Sequence, residues 1–141
     1  MRDLTLSFTV DRPPAEVFVR LNDVRDWWTG EITGPTDELG AEFTYVHGDV
    51  HRSTQRVVEL TPATRVVWLV TAAHLTFAAQ PDEWVGTRVV FDLAPAGGGT
   101  EVRFTHVGLT PELDCFDGCA TGWRFFVGTR LPERLRADAP A

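Results

Sequence analysis

Hydrophobic and polar residues alternate along the first stretch of the chain, DLTLSFTV at residues 3–10. Leucine, phenylalanine and valine occupy every second position, and polar side chains separate them. A two-residue period is typical of a β-strand with one face buried and one face in solvent. The pattern therefore predicts a first strand over residues 3–10.

The spacing changes directly after this strand, in DRPPAEVFVRLNDVRDWW. Val17, Phe18 and Leu21 fall at the spacing of one helix face, and a Pro-Pro pair suits the first turn of a helix. This predicts a helix over about residues 14–21. A second short helix is expected from residue 22 or 23 to residue 28. A connection rich in glycine and proline follows it.

The middle of the chain is a succession of alternating stretches joined by short turns. Because no helical pattern intervenes, these stretches predict an antiparallel meander. Residues 74–82 fit either an edge segment or a loop. Together with the first strand, they predict a sheet of about six strands. The five central strands are expected at residues 41–48, 51–60, 65–72, 83–95 and 100–109.

The last element has apolar residues at helical spacing from about residue 116 to residue 131 or beyond. Pro132 lacks a backbone N–H, so a kink or a stop is expected there, with a frayed tail from about residue 133. The pattern predicts one α+β domain over residues 1–141. In it, a curved antiparallel sheet of about six strands surrounds a long C-terminal helix, with two short helices after the first strand.

The charge of the chain excludes one class of partner. The net charge is −7, all 13 basic residues are arginine, and no basic run occurs. Nucleic-acid binding is therefore not expected. The sequence offers neither a signal peptide nor an apolar stretch long enough to insert into a membrane, so we expect a cytoplasmic protein. We expect no cofactor, since glycine-rich phosphate loops and the common catalytic motifs are absent.

Several stretches carry a resemblance to a known family: WWTGEITG, EFTYVHGDVH, VVELTP, VVWLV, EWVGT, TEVRFTHVGLTPE and DCFDGCATGW. They resemble the SRPBCC (START-like) superfamily, in the group of stand-alone bacterial proteins related to the C-terminal domain of activators of the Hsp90 ATPase. The resemblance implies a helix-grip fold with a cavity between the helix and the sheet. The superfamily includes lipid carriers, cyclases, aromatases and chaperone activators.

Three functions follow from this resemblance. The first is a carrier or sensor for a small apolar or aromatic molecule. The second is a cyclase or aromatase that uses His106 with Tyr45 or a bound water as acid and base. The third is an interaction module for a chaperone or another protein. Assembly into a homodimer is a further alternative. Strand parity and helix spacing place ten residues on the cavity wall: Phe43, Tyr45, Trp68, Val89, Phe91, Phe104, His106, Cys119, Trp123 and Phe126.

Cys115 and Cys119 leave three interpretations open: buried packing, a redox or reactive pair, and part of a metal site. Positions four apart on a helix have Cβ atoms about 5–6 Å apart, whereas a disulfide requires about 3.5–4.5 Å. A bridge therefore requires Cys115 to lie off the helix. Packing is the preferred interpretation, and no metal site is expected.

His47 and His51 flank the turn after the second predicted strand. A two-residue turn at Gly48 and Asp49 would place the two imidazoles on opposite faces, whereas a three-residue turn would place them on the same face. We expect the two-residue turn.

His106 lies on the core-facing side of its strand, with Val102 and Phe104. Two roles are therefore open for it: a hydrogen-bonded core histidine, or a polar anchor for a ligand in the cavity. The chain also has five tryptophans, either as ordinary core or as cavity lining. Trp27 and Trp28 are adjacent, and we expect at most one of them to face fully inward.

Overall fold

Seven β-strands form the framework of the protein, in a computed structural model that describes residues 3–76, 78, 80–113 and 115–137. All strand pairs are antiparallel, and the strand order is β1-β7-β6-β5-β4-β3-β2. The strands are β1 (Leu4–Val10), β2 (Glu31–Thr33), β3 (Glu42–His47), β4 (His51–Thr61), β5 (Arg65–Leu75), β6 (Arg88–Ala96) and β7 (Gly99–Val107).

The two central long strands bend the sheet. β4 and β5 pair over their whole length, and the register shifts between Thr54 and Gln55 and again between Val57 and Glu59. Such irregularities increase local twist and curvature. β5 pairs with β6 only over residues 65–69, so the second half of β5 extends past its neighbour. Backbone hydrogen bonds join Leu75 to Pro81, and Val70 to Gly86 and Thr87, so the described part of the β5-β6 connection returns along this half.

A helix and a short turn cover the sheet after β1. α1 (Pro14–Asn22) buries Val17 and Leu21, and a 3-10 turn (Val24–Asp26) follows. The first predicted helix is confirmed, and the second is reduced to this single turn. The expectation that at most one of Trp27 and Trp28 faces inward is wrong, since they are 0% and 3% exposed. Trp27 leaves helical geometry at φ −124°, and the two rings stack inside the core at 6.4 Å.

One continuous C-terminal helix packs against the sheet. It consists of α2 (Phe116–Phe125), a π-helical segment (Phe126–Arg130) and α3 (Leu131–Arg136). Of the kink or stop expected at Pro132, the stop is wrong, because the helix continues to Arg136. The wider π-helical turn lies directly before the proline, where an α-helical hydrogen bond to Gly128 would be missing. The tail predicted to fray from about residue 133 is helical as far as Arg136, and residues 138–141 lie outside the described residues.

The predicted α+β architecture is confirmed, with one strand more than expected. The additional strand, β2, has three residues in the glycine- and proline-rich connection, where the sequence carries no alternating pattern. The stretch 83–95 was expected to be strand throughout, yet β6 begins only at Arg88. Residues 81–86 form turns instead, and this difference positions Trp84 at the site described below.

We predict that Gly99→Ala destabilises the fold by about 2–4 kcal/mol. A Cβ at Gly99 would collide with the backbone carbonyl oxygen of Val10, where β1 meets β7. Gly128→Ala is the matched control, since its Cβ would meet nothing within 4 Å, and helix propensity favours it by about 0.5–1 kcal/mol. Denaturant unfolding measures both changes, and equal stabilities of the two variants would contradict the register of the β1-β7 pair.

A candidate ligand cavity lined by aromatic side chains

A cavity of about 210 Å³ opens where three parts of the chain approach one another. These parts are the β3-β4 turn, the β5-β6 connection and the first half of the C-terminal helix. At the volume of liquid water, the cavity has space for roughly seven water molecules. Its lining consists of Trp28, Tyr45, His47, Val50, His51, Trp84, Gly118, Cys119, Gly122, Trp123 and Phe126.

Two stacked ring pairs form much of the wall. Trp28 stacks on Tyr45 with ring centroids 3.9 Å apart and planes 12° from parallel. Trp84 stacks on Trp123 at 5.8 Å and 9°. Trp28 and Trp123 join the two pairs, with centroids 5.0 Å apart. The cavity therefore presents aromatic faces contributed by residues that are distant in the sequence.

Hydrogen bonds inside the protein hold three of these four rings in place. The indole N–H of Trp123 donates to Nδ1 of His106 at 3.0 Å, and the indole N–H of Trp84 donates to Sγ of Cys119 at 3.2 Å. The hydroxyl of Tyr45 donates to the carbonyl oxygen of Thr29 at 2.6 Å. Because the polar atoms of Trp123, Trp84 and Tyr45 have protein partners, the apolar faces of these three rings remain available to a ligand.

His106 is a hydrogen-bonded core histidine. An indole N–H only donates, so Nδ1 of His106 accepts and the neutral ring carries its proton on Nε2. Nε2 lies 2.8 Å from Oγ1 of Thr87, and this hydroxyl donates to the carbonyl oxygen of Trp84 at 2.6 Å. Burial lowers the pKa of His106 to about 3.

These contacts remove the base from the cyclase or aromatase hypothesis. Both ring nitrogens of His106 are engaged, the side chain is 0% exposed, and it is absent from the cavity lining. Tyr45, the suggested second group, uses its hydroxyl on the backbone of Thr29. General acid–base catalysis needs a group within reach of the substrate, and His106 does not border the cavity.

The β3-β4 turn differs from the two-residue turn that we expected. His47 pairs directly with His51, so the turn has three residues, 48–50. Directly opposed residues of an antiparallel pair share a face, and both imidazoles therefore border the cavity. Burial, followed by the nearby His47, lowers the pKa of His51 to about 4. Among the described residues, no three side chains of the metal-binding types form a group.

Cys115 and Cys119 are both free thiols and both buried. Cys115 has helical backbone angles, φ −80° and ψ −4°, and its carbonyl accepts the N–H of Cys119 at 2.8 Å. Helical positions four apart have Cβ atoms about 5–6 Å apart, so a disulfide would require the first turn to unwind. A hydrogen bond between the thiols lowers the pKa of Cys115 and raises that of Cys119.

Four of the ten predicted wall residues border the cavity: Tyr45, Cys119, Trp123 and Phe126. The other six are at most 1% exposed and belong to the neighbouring core. Trp27 packs against two of them, with its ring 6.3 Å from Trp68 and 5.8 Å from Phe91. A role in ligand binding stays a prediction for all ten. The six core residues are Phe43, Trp68, Val89, Phe91, Phe104 and His106.

Sequence reasoning missed most of the opposite wall. Trp84 lies in a turn, where strand parity does not predict the direction of a side chain. For His51, the predicted face depended on the length of the β3-β4 turn. A usable signal existed on the C-terminal helix, where Gly118 and Gly122 are four residues apart and thus share a face. Two glycines beside Cys119 and Trp123 leave open space at the cavity.

Comparison with known proteins places the fold. A family model described as Activator of Hsp90 ATPase homolog 1-like protein matches residues 13–136. The solution structure of the Aha1 dimer from Colwellia psychrerythraea has a TM-score of 0.78 and 24% sequence identity, covering 96% of this chain and 97% of that chain. The crystal structure of MLL2253 from Mesorhizobium loti has a TM-score of 0.75 and 20% identity, covering 98% and 100%.

A third structure, CalU16 from Micromonospora echinospora, has a TM-score of 0.67 and 18% identity and covers 99% of this chain and 77% of that chain. At such identities the three structures establish the helix-grip fold alone. No protein with a curated description matches the sequence. In the described part of the chain, no helix combines the length and apolar character needed to cross a bilayer.

We predict that the free energy of unfolding decreases as the pH falls below about 6.5. Histidines in the unfolded chain titrate near 6.5, whereas His51 and His106 keep pKa values of about 4 and about 3 in the native state. Between these values only the unfolded state binds the protons, so stability is fully present above pH 6.5 and is lost towards acid. Each histidine contributes up to about 1.4 kcal/mol per pH unit.

Denaturant unfolding of the wild type and His106→Gln between pH 7 and pH 5 measures this slope. The variant is expected to have the smaller slope, whatever its absolute stability. Equal slopes in the two proteins would contradict the neutral, buried state of His106.

Proposed function

The chain belongs to the family of Activator of Hsp90 ATPase homolog 1-like proteins, and we propose that it binds a small, largely apolar aromatic molecule as a carrier or sensor. The molecule would occupy the cavity between the C-terminal helix and the end of the sheet. The proposal depends on one observation, the open cavity with aromatic walls that the protein itself holds in position.

The fixed walls support binding because they reduce its cost. Trp84, Trp123 and Tyr45 are each held by a hydrogen bond within the protein. A ligand therefore does not have to order them, and the entropy lost on binding is smaller. Covering apolar ring faces that otherwise contact water is favourable and stabilises the complex.

The shape of the cavity limits the ligand. A volume of about 210 Å³ lies below the roughly 300–1,000 Å³ of sites for drug-sized molecules. The two stacked ring pairs favour offset stacking or edge contact with another flat ring. We therefore expect a molecule of one or two fused rings rather than a long acyl chain.

We predict that such molecules raise the melting temperature of the wild type. A ligand at 100 times its dissociation constant stabilises the native state by about 2.7 kcal/mol, which corresponds to several degrees for a domain of this size. A thermal-shift series of one-ring and two-ring aromatic compounds measures the effect, with saturated fatty acids as a comparison set.

Two variants of the C-terminal helix separate cavity binding from other effects. Gly122 borders the cavity and a Cβ there meets nothing within 4 Å, so Gly122→Leu should fill the cavity without disturbing the fold. Gly128→Leu has the same freedom away from the lining. The thermal shift should be lost in Gly122→Leu and kept in Gly128→Leu. Equal shifts in both variants, or none in the wild type, would refute the proposal.

A second candidate function is a protein-interaction module that stimulates a chaperone ATPase. The family description supports it, and so does the exposed apolar surface beside the cavity. Phe125 is 53% exposed and lies edge-to-face on Phe126, a lining residue, while Val50 on the opposite rim is 45% exposed. The same surface suits a second copy of the chain, and the similar Aha1 structure is a dimer.

For this second candidate, we predict that the protein stimulates ATP hydrolysis by a bacterial Hsp90-type chaperone and that Phe125→Ser weakens the stimulation. Val107→Ser, at another exposed apolar residue, is the control. Sedimentation of both variants shows whether Phe125 instead mediates a homodimer. Unchanged stimulation in Phe125→Ser would exclude this surface, and no stimulation by the wild type would exclude the function.

A further inference from the structure

Three polar side chains occupy the inward face of β4, where apolar residues would be expected. His51, Ser53 and Gln55 alternate along the strand, and Ser53 and Gln55 are 1% and 0% exposed. The next residue on this face, Val57, is apolar and fully buried. Burying uncompensated polar groups is costly, so this polar series requires a structural or functional reason.

The three side chains are connected by two hydrogen bonds. Nε2 of Gln55 donates to Oγ of Ser53 at 2.6 Å, and this oxygen lies 2.8 Å from Nε2 of His51. Oγ of Ser53 can donate to Nε2 of His51 or accept from it. When it donates, Nε2 is the acceptor and the imidazole proton lies on Nδ1. Oε1 of Gln55 is buried and has no partner among the described residues.

His51 connects this chain to the cavity. Its ring borders the cavity and stands edge-on to Trp84 and Tyr45, with centroids 4.8 Å and 5.1 Å apart. The Tyr45 hydroxyl and the Cys119 sulfur, also part of the lining, already have protein partners. Within the described chain, the hydrogen bond of the His51 ring is made by Nε2, so a proton on Nδ1 is available to a ligand.

We propose that the cavity selects flat aromatic molecules carrying one hydrogen-bond-accepting oxygen, and that His51 donates its Nδ1–H to that oxygen. Ser53 and Gln55 are positioning residues, because they fix which ring nitrogen carries the proton. The inference rests on the proposed function and adds the chemical class of the ligand. A purely apolar ring would leave this donor without a partner, at a cost in free energy.

Indane and 1-indanone test the proposal as a matched pair, because they share shape and size and only the ketone has an acceptor oxygen. Quenching of tryptophan fluorescence measures both affinities. We expect the wild type to bind 1-indanone about 3–10-fold more tightly than indane, the range of one neutral hydrogen bond. His51→Phe keeps a ring but removes the donor, and it should bind indane at least as tightly as 1-indanone.

Two further variants separate a recognition role from a structural one. Ser53→Ala removes the partner that fixes the proton, so the preference for 1-indanone should fall about 2–5-fold while indane affinity stays constant. His74→Phe makes the same exchange as His51→Phe at an exposed position on β5 and should keep the wild-type preference. Melting curves of each variant show that it is folded.

The protonated nitrogen gives a readout that does not depend on any ligand. Long-range ¹⁵N–¹H NMR spectra should show the proton on Nδ1 in His51 and on Nε2 in His106, two opposite forms in one protein. Ser53→Ala should alter the His51 pattern alone. A proton on Nε2 of His51 in the wild type would overturn the proposal.

The binding results distinguish this inference from the function on which it rests. If indane binds as tightly as 1-indanone, or if His51→Phe keeps the preference, the role of His51 is refuted and the aromatic cavity stands. If neither compound binds at millimolar concentration, both the proposed function and this inference are refuted.

Discussion

The hydrogen bond from the Trp123 indole to Nδ1 of His106 connects the core of this protein to its cavity. It joins the C-terminal helix to the last strand, and it requires a neutral His106 whose other nitrogen contacts Thr87. Thr87 in turn bonds to the backbone of Trp84. One buried imidazole thus fixes two cavity walls from different parts of the chain, which explains why a polar side chain is kept at 0% exposure.

The sheet leaves the space that these walls enclose. Because β5 continues after its pairing with β6 ends at Leu69, the connection between them returns along β5 and brings Trp84 to the edge of the cavity. The C-terminal helix crosses at this place with two small residues, Gly118 and Gly122, towards the opening. The cavity therefore results from a mismatch in strand length, together with a helix surface that does not fill it.

The sequence was sufficient for the architecture and insufficient for the site, for physical reasons. Alternation along β1, β4 and β7 determines which side chains face the core, so the sheet and the burial of His106 were predictable. Strand parity gives the face on which a side chain lies and not its distance from the cavity. Trp27 packs against Phe91, which parity also directs inward. The face of the sheet on which His51 lies depended on the length of one turn, because one added residue reverses the face of every side chain that follows.

Local rules also failed where tertiary packing compensates for them. The proline at position 132 was expected to kink or end the helix. The helix instead continues past it, with a π-helical turn before the proline, and the buried Leu131 and Leu135 pack against the domain. Trp84 lay in a stretch with a strand-like pattern that folds as turns. In both cases a contact between distant segments outweighed the local preference.

The central claim is that a preformed aromatic cavity receives a ligand, and the indole N–H resonances of the five tryptophans test it most directly. Titration with 1-indanone should shift the signals of Trp28, Trp84 and Trp123, which line the cavity, and shift those of Trp27 and Trp68 far less. Equal shifts for all five, or shifts confined to Trp27 and Trp68, would contradict the account.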